Sequence, residues 1–129
     1  MRPASNLAAA AGLFAATPAL ATSTLLCRST ISPTDGPQLS LVVGNGPGSG
    51  ILQARFELDR IRFATSEGPA APVIGQAWID EHSLRLDIID ANAEGRLVRL
   101  DTRRRGGSDY RGILIHAGRT WRVRCTEEG

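Results

Sequence analysis

Arginine is the residue type in this sequence whose number and spacing best suit a chemical task. All 15 basic residues are arginine, and nine of them fall between Arg96 and Arg124, where only Asp101 and Asp109 oppose them, so this stretch carries a charge of +7 (9 − 2). A guanidinium group presents a planar fork of N–H donors that pairs with carboxylates and phosphates through parallel hydrogen bonds. The stretch therefore predicts a surface that binds an anion.

Six of these arginines are expected to form the binding face. Arg122 and Arg124 alternate with apolar residues, which places both side chains on the exposed face of a strand. An arginine in the preceding strand can lie across from them, and an arginine triplet extends from a predicted loop. The predicted ligand-binding residues are Arg103, Arg104, Arg105, Arg111, Arg122 and Arg124. The opposing interpretation is a solvated basic face that is balanced within the molecule by an acidic stretch, namely Asp80, Glu81, Asp87, Asp90 and Glu94.

The two histidines are the only candidates for acid–base catalysis near neutral pH. His82 lies in a predicted turn, and His116 lies at the corner of a predicted hairpin beside Ala117-Gly118. A hydrolytic triad needs a serine or cysteine beside a histidine that a carboxylate orients, and the G-x-S-x-G motif that often carries the serine is missing. We expect a protein that is not an enzyme, with a small hydrolase using His82 or His116 as an alternative.

No pattern in the sequence indicates a metal or another cofactor. There is no His-x-x-x-His pair and no Asp-x-Asp-x-Asp-Gly calcium loop. The glycine-rich segment 44–50 lacks the lysine of a phosphate-binding loop, so it predicts a flexible connection. From Thr22 onward, 14 arginines face 13 acidic residues, and a net charge of +1 does not indicate a nucleic-acid partner.

The elements that must position these side chains are short strands. Leu84, Leu86 and Ile88 alternate with polar residues, a period of two that is typical of a strand with one buried face. Segment 52–64 shows the same alternation with a change of parity after Leu58, which predicts a turn or a β-bulge there, although a helix is the alternative for the whole segment. Further strands are predicted over 39–43, 73–80, 97–102, 110–116 and 119–126, with a turn over 90–95 and a loop over 103–109.

Seven to nine strands without a predicted helix indicate an all-β fold. The spacing of the turns suits a small antiparallel up-and-down barrel or a sandwich, and the pattern does not choose between them. Tyr110 and Trp121 are expected in the core. Trp78 shares its parity with Gln76 and Asp80, so we expect it to be exposed.

The first 21 residues read as a secretory signal peptide. Arg2 precedes the ten-residue apolar run 7–16, and Ala19-Leu20-Ala21 forms a cleavage-site pattern. The run is shorter than the roughly 20 residues that a membrane-spanning helix needs. We therefore expect residues 22–129 to form a single β-rich domain in the periplasm or outside the cell, with no transmembrane segment.

Export favours a disulfide between the two cysteines, Cys27 and Cys125, which are 98 positions apart (125 − 27). A bridge there would close almost the whole domain and would place the first strand beside the last, as closure of a barrel requires. In this compartment the anionic partner of the arginine face would be an envelope polymer, a lipid headgroup or an acidic protein.

The segment Gly106-Gly107-Ser108-Asp109-Tyr110, followed by Gly112, by Gly118-Arg119-Thr120-Trp121 and by Cys125, resembles the periplasmic inhibitors of C-type lysozyme. That family consists of small exported β-barrels in which a serine-bearing loop enters the lysozyme cleft. The resemblance implies lysozyme as an alternative partner, with Ser108 and Tyr110 in an exposed inhibitory loop. The sequence departs from the family where Ser108 is followed by Asp109 in place of glycine, and its arginines would repel a basic lysozyme.

Overall fold

The computed structural model describes residues 22–44 and 50–128, which form nine antiparallel strands and contain no helix. The strands in chain order are β1 (Thr22–Ser29), β2 (Gln38–Gly44), β3 (Ile51–Leu58), β4 (Ile61–Ala64), β5 (Val73–Ile79), β6 (Ser83–Ile89), β7 (Arg96–Gly106), β8 (Asp109–His116) and β9 (Arg119–Glu128). The all-β prediction is confirmed. The predicted signal peptide and the centre of the predicted glycine-rich loop, 45–49, lie outside the described residues.

All nine strands belong to one sheet, in the order β4-β3-β2-β1-β9-β8-β7-β6-β5. Two meanders, β1–β4 and β5–β9, are joined where β1 pairs with β9. The sheet curls into a half-barrel, and β3 and β5 come into contact without pairing. Of the two predicted architectures, the barrel is the nearer one, since a sandwich would require two sheets. No described helix has the length and apolar character needed to cross a membrane.

Segment 52–64 forms two strands, so the helix alternative for it is wrong. Leu58 pairs with Ile61, and Asp59 occupies the turn with a φ of 53°. The predicted hairpin turn at Ala117-Gly118 is also confirmed, with φ angles of 50° and 78° that suit the twist of a tight β-hairpin.

The core lies on the inner face of the curl, where alternate residues of most strands are buried, whereas β5 contributes only the partly buried Ile74 and Ile79. Cys27 and Cys125 lie directly opposite each other on β1 and β9, are fully buried, and form the predicted disulfide with a Cα–Cα distance of 3.9 Å. Around them pack the largest fully buried side chains, including Phe56, Leu39, Leu41, Leu84, Leu86, Ile88, Leu100 and Leu114.

Strand β7 is longer than predicted, which changes the position of the arginine triplet. The strand continues through Arg103, Arg104 and Arg105 to Gly106, so the predicted loop shrinks to a tight turn. The two glycines, 106 and 107, suggested an early end to the strand. The strand extends beyond this predicted end because it pairs with β8, where Arg103 pairs with Arg111 and Arg104 with Tyr110.

Candidate functional site

Four arginines lie side by side on the outer face of the sheet. Arg103 on β7 pairs with Arg111 on β8, Arg111 pairs with Arg124 on β9, and Arg124 pairs with Arg28 on β1. Neighbouring strands are about 4.8 Å apart, so the set extends over roughly 14 Å across the strands. We call Arg28, Arg103, Arg111 and Arg124 the arginine row.

Two hairpins and the disulfide fix the register of the arginine row. The turn at Gly107-Ser108 sets Arg103 opposite Arg111, and the turn at Ala117-Gly118 sets Arg111 opposite Arg124. The disulfide does the same for Arg28, because an antiparallel pair with Cys27 opposite Cys125 must also place Arg28 opposite Arg124. Arg28 was not among the predicted ligand-binding residues, although the predicted bridge between Cys27 and Cys125 was a signal for its position opposite Arg124.

Asp109 is the carboxylate that contacts the arginine row. Its two oxygens accept hydrogen bonds from Arg124 Nε at 3.1 Å and Nη2 at 3.3 Å, and from Arg111 Nη2 at 3.4 Å. The hydrogen bond from Arg124, followed by that from Arg111, holds the pKa of Asp109 below its usual range. One carboxylate therefore offsets part of the charge of two arginines, while Arg28 and Arg103 make no ion pair among the described residues.

A shallow depression of about 550 Å³ lies over β1, β8 and β9 at this row. Arg28, Arg111 and Arg124 line it together with the hydroxyl residues Thr30 and Thr126. Glu128 also lines it and contributes a carboxylate. The fourth predicted arginine on this face, Arg122, lies two residues before Arg124 on β9 and pairs with Ile113. The site thus combines guanidinium groups with hydroxyl donors, which are the groups that bind carboxylate, sulfate or phosphate.

The two remaining predicted ligand-binding residues do not join this row. Arg104 shares the parity of the inward-facing Tyr110, and its guanidinium donates to the carbonyl oxygens of Gly107 at 2.6 Å and Glu81 at 3.3 Å. It therefore ties the β7–β8 turn to the β5–β6 turn. Arg105 is exposed where the β7–β8 register shifts.

The acidic stretch 80–94 does not neutralise the arginine row. Asp87 contacts Arg99 at 3.1 Å and Arg96 at 3.8 Å, both on the first half of β7. Asp80 and Asp90 accept hydrogen bonds from backbone amides of their own turns. The opposing interpretation, in which this acidic stretch balances the arginines within the molecule, thus holds for Arg96 and Arg99. It does not hold for the arginine row.

The two histidines occupy different environments, and neither is arranged as a triad base. His82 is exposed and contacts its neighbour Glu81, with Nε2 and Oε1 3.7 Å apart. His116 is buried in contrast to its predicted surface position, and its Nδ1 donates to the carbonyl oxygen of Leu97 at 2.8 Å. Its ring packs against Phe56, and its buried Nε2 has no hydrogen-bond partner within the described residues. The His116 ring thus satisfies a backbone carbonyl near the β6–β7 bulge.

Ser108 and Tyr110, the residues of the alternative inhibitory loop, are separated by the fold. Ser108 is exposed at the β7–β8 turn, and its Oγ lies 3.4 Å from Glu127 Oε1. Tyr110 is buried as the core prediction required, so the exposed position implied by the lysozyme-inhibitor resemblance is wrong for it. Its hydroxyl donates to the Asp80 carbonyl oxygen at 3.2 Å, and burial raises its pKa.

The described residues contain no cluster of three or more histidine, cysteine, aspartate or glutamate side chains that could hold a metal ion. A scan of protein-family models gave no match, and searches of curated proteins and of solved structures gave none either.

Proposed function

We propose that this is an exported, non-enzymatic binding protein that holds an anionic envelope polymer on the arginine row. The observation that carries the proposal is the register that places Arg103, Arg111, Arg124 and Arg28 on four adjacent strands. Like charges directly opposite each other destabilise a sheet, so the row costs folding free energy that a bound anion would recover.

A polymer with repeated anionic groups suits the row better than one small anion. The guanidinium groups are spread over roughly 14 Å, which exceeds the reach of a single phosphate or carboxylate. Arg28 and Arg103 stand at the two ends of the row without an ion pair among the described residues, so both are available to a ligand that spans it. The predicted signal peptide supports a partner in the cell envelope.

The test compares retention on heparin and on immobilised polygalacturonate across a salt gradient. Arg28→Ser with Arg103→Ser removes the two ends of the row. Arg60→Ser with Arg62→Ser is the matched control, because it removes the same charge from the β3–β4 hairpin and breaks only the exposed Arg62–Glu57 contact at 3.5 Å. We expect the first variant to elute earlier than the control and to show a smaller slope of log affinity against log salt, since fewer counterions are released.

Equal elution of the two double variants would contradict the proposal, because retention would then depend on net charge alone. Anionic phospholipid vesicles provide the second arm. Binding to vesicles without binding to either polymer would assign the row to a lipid headgroup, and would overturn the polymer proposal.

Inhibition of C-type lysozyme is the second candidate, favoured by the exposed position of Ser108 at the β7–β8 turn. A lysozyme assay with the oxidised protein at low and moderate salt tests it. Stoichiometric inhibition that Ser108→Trp abolishes would support this function. No inhibition at either salt concentration would eliminate it.

A further inference from the structure

A second surface, on the outer face of β5, β6 and β7, has a different chemistry from the arginine row. Trp78 on β5 is 61% exposed, as its parity predicted. It lies at a groove of about 800 Å³ whose polar lining comes from alternate residues of the three strands. These are Gln76, Arg85, Asp87, Arg99 and Asp101.

The indole ring of Trp78 is held in place although it is exposed. Its Nε1 donates to Asp80 Oδ2 at 2.8 Å, and the other oxygen of Asp80 accepts from the amides of His82 and Ser83. A ring fixed in this way loses little conformational entropy when a ligand packs on it. The structure thus presents a rigid aromatic surface beside a polar groove.

The charges that line this groove cancel within it. Arg85 Nε lies 3.2 Å from Asp101 Oδ1, and Arg99 Nε donates to Asp87 Oδ1 at 3.1 Å. Two arginines and two aspartates give no net charge, in contrast to the arginine row. An anion would have to displace an aspartate, whereas hydroxyl groups can donate to the carboxylates and accept from the guanidinium groups without breaking either ion pair.

We propose that this groove binds a neutral sugar unit of an oligosaccharide, with one face of the ring packed on Trp78. The C–H face of a pyranose is apolar and flat, so it matches an indole, and its equatorial hydroxyl groups match the surrounding carboxylate, guanidinium and amide groups. The groove volume lies within the range of roughly 300–1,000 Å³ that is typical of small-ligand sites. The site is independent of the arginine row, because the two share no residue.

The test is isothermal titration calorimetry with neutral hexasaccharides of glucose and of N-acetylglucosamine. We expect saturable binding whose Kd does not change with salt, because the hexasaccharides are uncharged. Trp78→Ala should weaken binding about tenfold, since an aromatic contact of this kind contributes about as much as one factor of ten in affinity. Gln76→Ala should weaken it less.

Two controls separate the sugar site from other causes. Trp121→Phe changes the half-buried tryptophan under Arg119 and should leave binding unchanged. Arg28→Ser with Arg103→Ser should also leave it unchanged while it weakens polyanion binding. The proposal is overturned if none of the hexasaccharides binds up to about 10 mM, or if binding survives Trp78→Ala in a protein with an unchanged circular dichroism spectrum.

Discussion

Asp80 is the residue whose contacts make the clearest prediction about pH. It accepts hydrogen bonds from the amides of His82 at 2.7 Å and Ser83 at 2.8 Å and from the indole of Trp78 at 2.8 Å. These donors, the His82 amide first, lower the pKa of Asp80 to about 2. Since the folded pKa lies below the unfolded value of about 3.9, the ionised carboxylate stabilises the fold above pH 4, and this contribution is lost as the pH falls towards 2.

Asp80→Asn should therefore lower Tm at neutral pH, and the difference from the wild type should shrink as the pH falls towards 2. Thermal unfolding followed by circular dichroism between about pH 2 and 7 measures this. Asp35→Asn is the control, because Asp35 is an exposed carboxylate with no hydrogen bond among the described residues. A constant difference at all pH values would show that the charge of Asp80 does not stabilise the turn.

At the residue scale, the sequence predicted the exposure or burial of those side chains for which it depends only on alternation along a strand. The exposure of Trp78 and the burial of Tyr110 both follow from alternation along a strand. It did not predict the burial of His116, because that depends on a tertiary partner. The carbonyl of Leu97, 19 residues earlier, and the ring of Phe56 give this polar side chain a place in the core.

Strand β8 can approach β7 closely because of Gly112. A Cβ atom there would collide with the carbonyl oxygen of Asp101 and would lie 2.7 Å from the Cα of Thr102, and both are backbone atoms of a paired strand. Gly112→Ala should therefore lower the free energy of unfolding by about 2 kcal/mol or more. The control is Gly106→Ala, where nothing lies within 4 Å of the added atom. Urea unfolding of the two variants measures the difference, and equal midpoints would contradict this account.

The contact between β8 and β9 includes Asp109, and its removal should change stability and binding in opposite directions. Asp109→Asn leaves Arg111 and Arg124 facing each other without a carboxylate. We expect a lower Tm at low salt, a smaller loss in about 1 M salt, where the screening length is about 3 Å, and later elution from heparin.

Glu67→Gln is the matched control for this experiment, because it makes the same change of charge and breaks an exposed ion pair with Arg55 on β3, outside the row. If both variants elute at the same salt concentration, the arginine row has no special role in retention.

At the element scale, the sequence predicted strands at the positions of β2 to β9, and the structure adds the bounds of β1 and the register of all nine strands. The change of parity after Leu58 predicted a turn or a bulge, and the structure has a turn there. The end of β7 could not, because Gly106 and Gly107 are typical of a loop, and only pairing with β8 shows that Arg103 belongs to the strand. The alignment of four arginines depends on three registers at once, which no single stretch of sequence contains.

For the whole molecule, the junction of β1 and β9 decides whether the sheet holds together. It is the pairing that joins the two meanders within the described residues, and Cys27 and Cys125 lie inside it. A covalent link across 98 positions restricts the unfolded chain, and the chain-entropy model assigns it about 4–5 kcal/mol. Small domains are stable by only about 5–15 kcal/mol, so the bridge would supply a large part of the total.

Reduction should therefore shift the urea midpoint of the wild-type protein to a much lower concentration. In the variant with Cys27→Ala and Cys125→Ala, the midpoint should already be low, and reductant should not change it further. Because β1 and β9 are also paired by backbone hydrogen bonds, we expect the reduced protein to keep its β-rich circular dichroism spectrum in the absence of urea. An unchanged midpoint after complete reduction, verified by thiol titration, would show that strand pairing alone holds the two meanders together. In that case the arginine row would keep its register without the bridge, and polyanion binding should survive reduction as well.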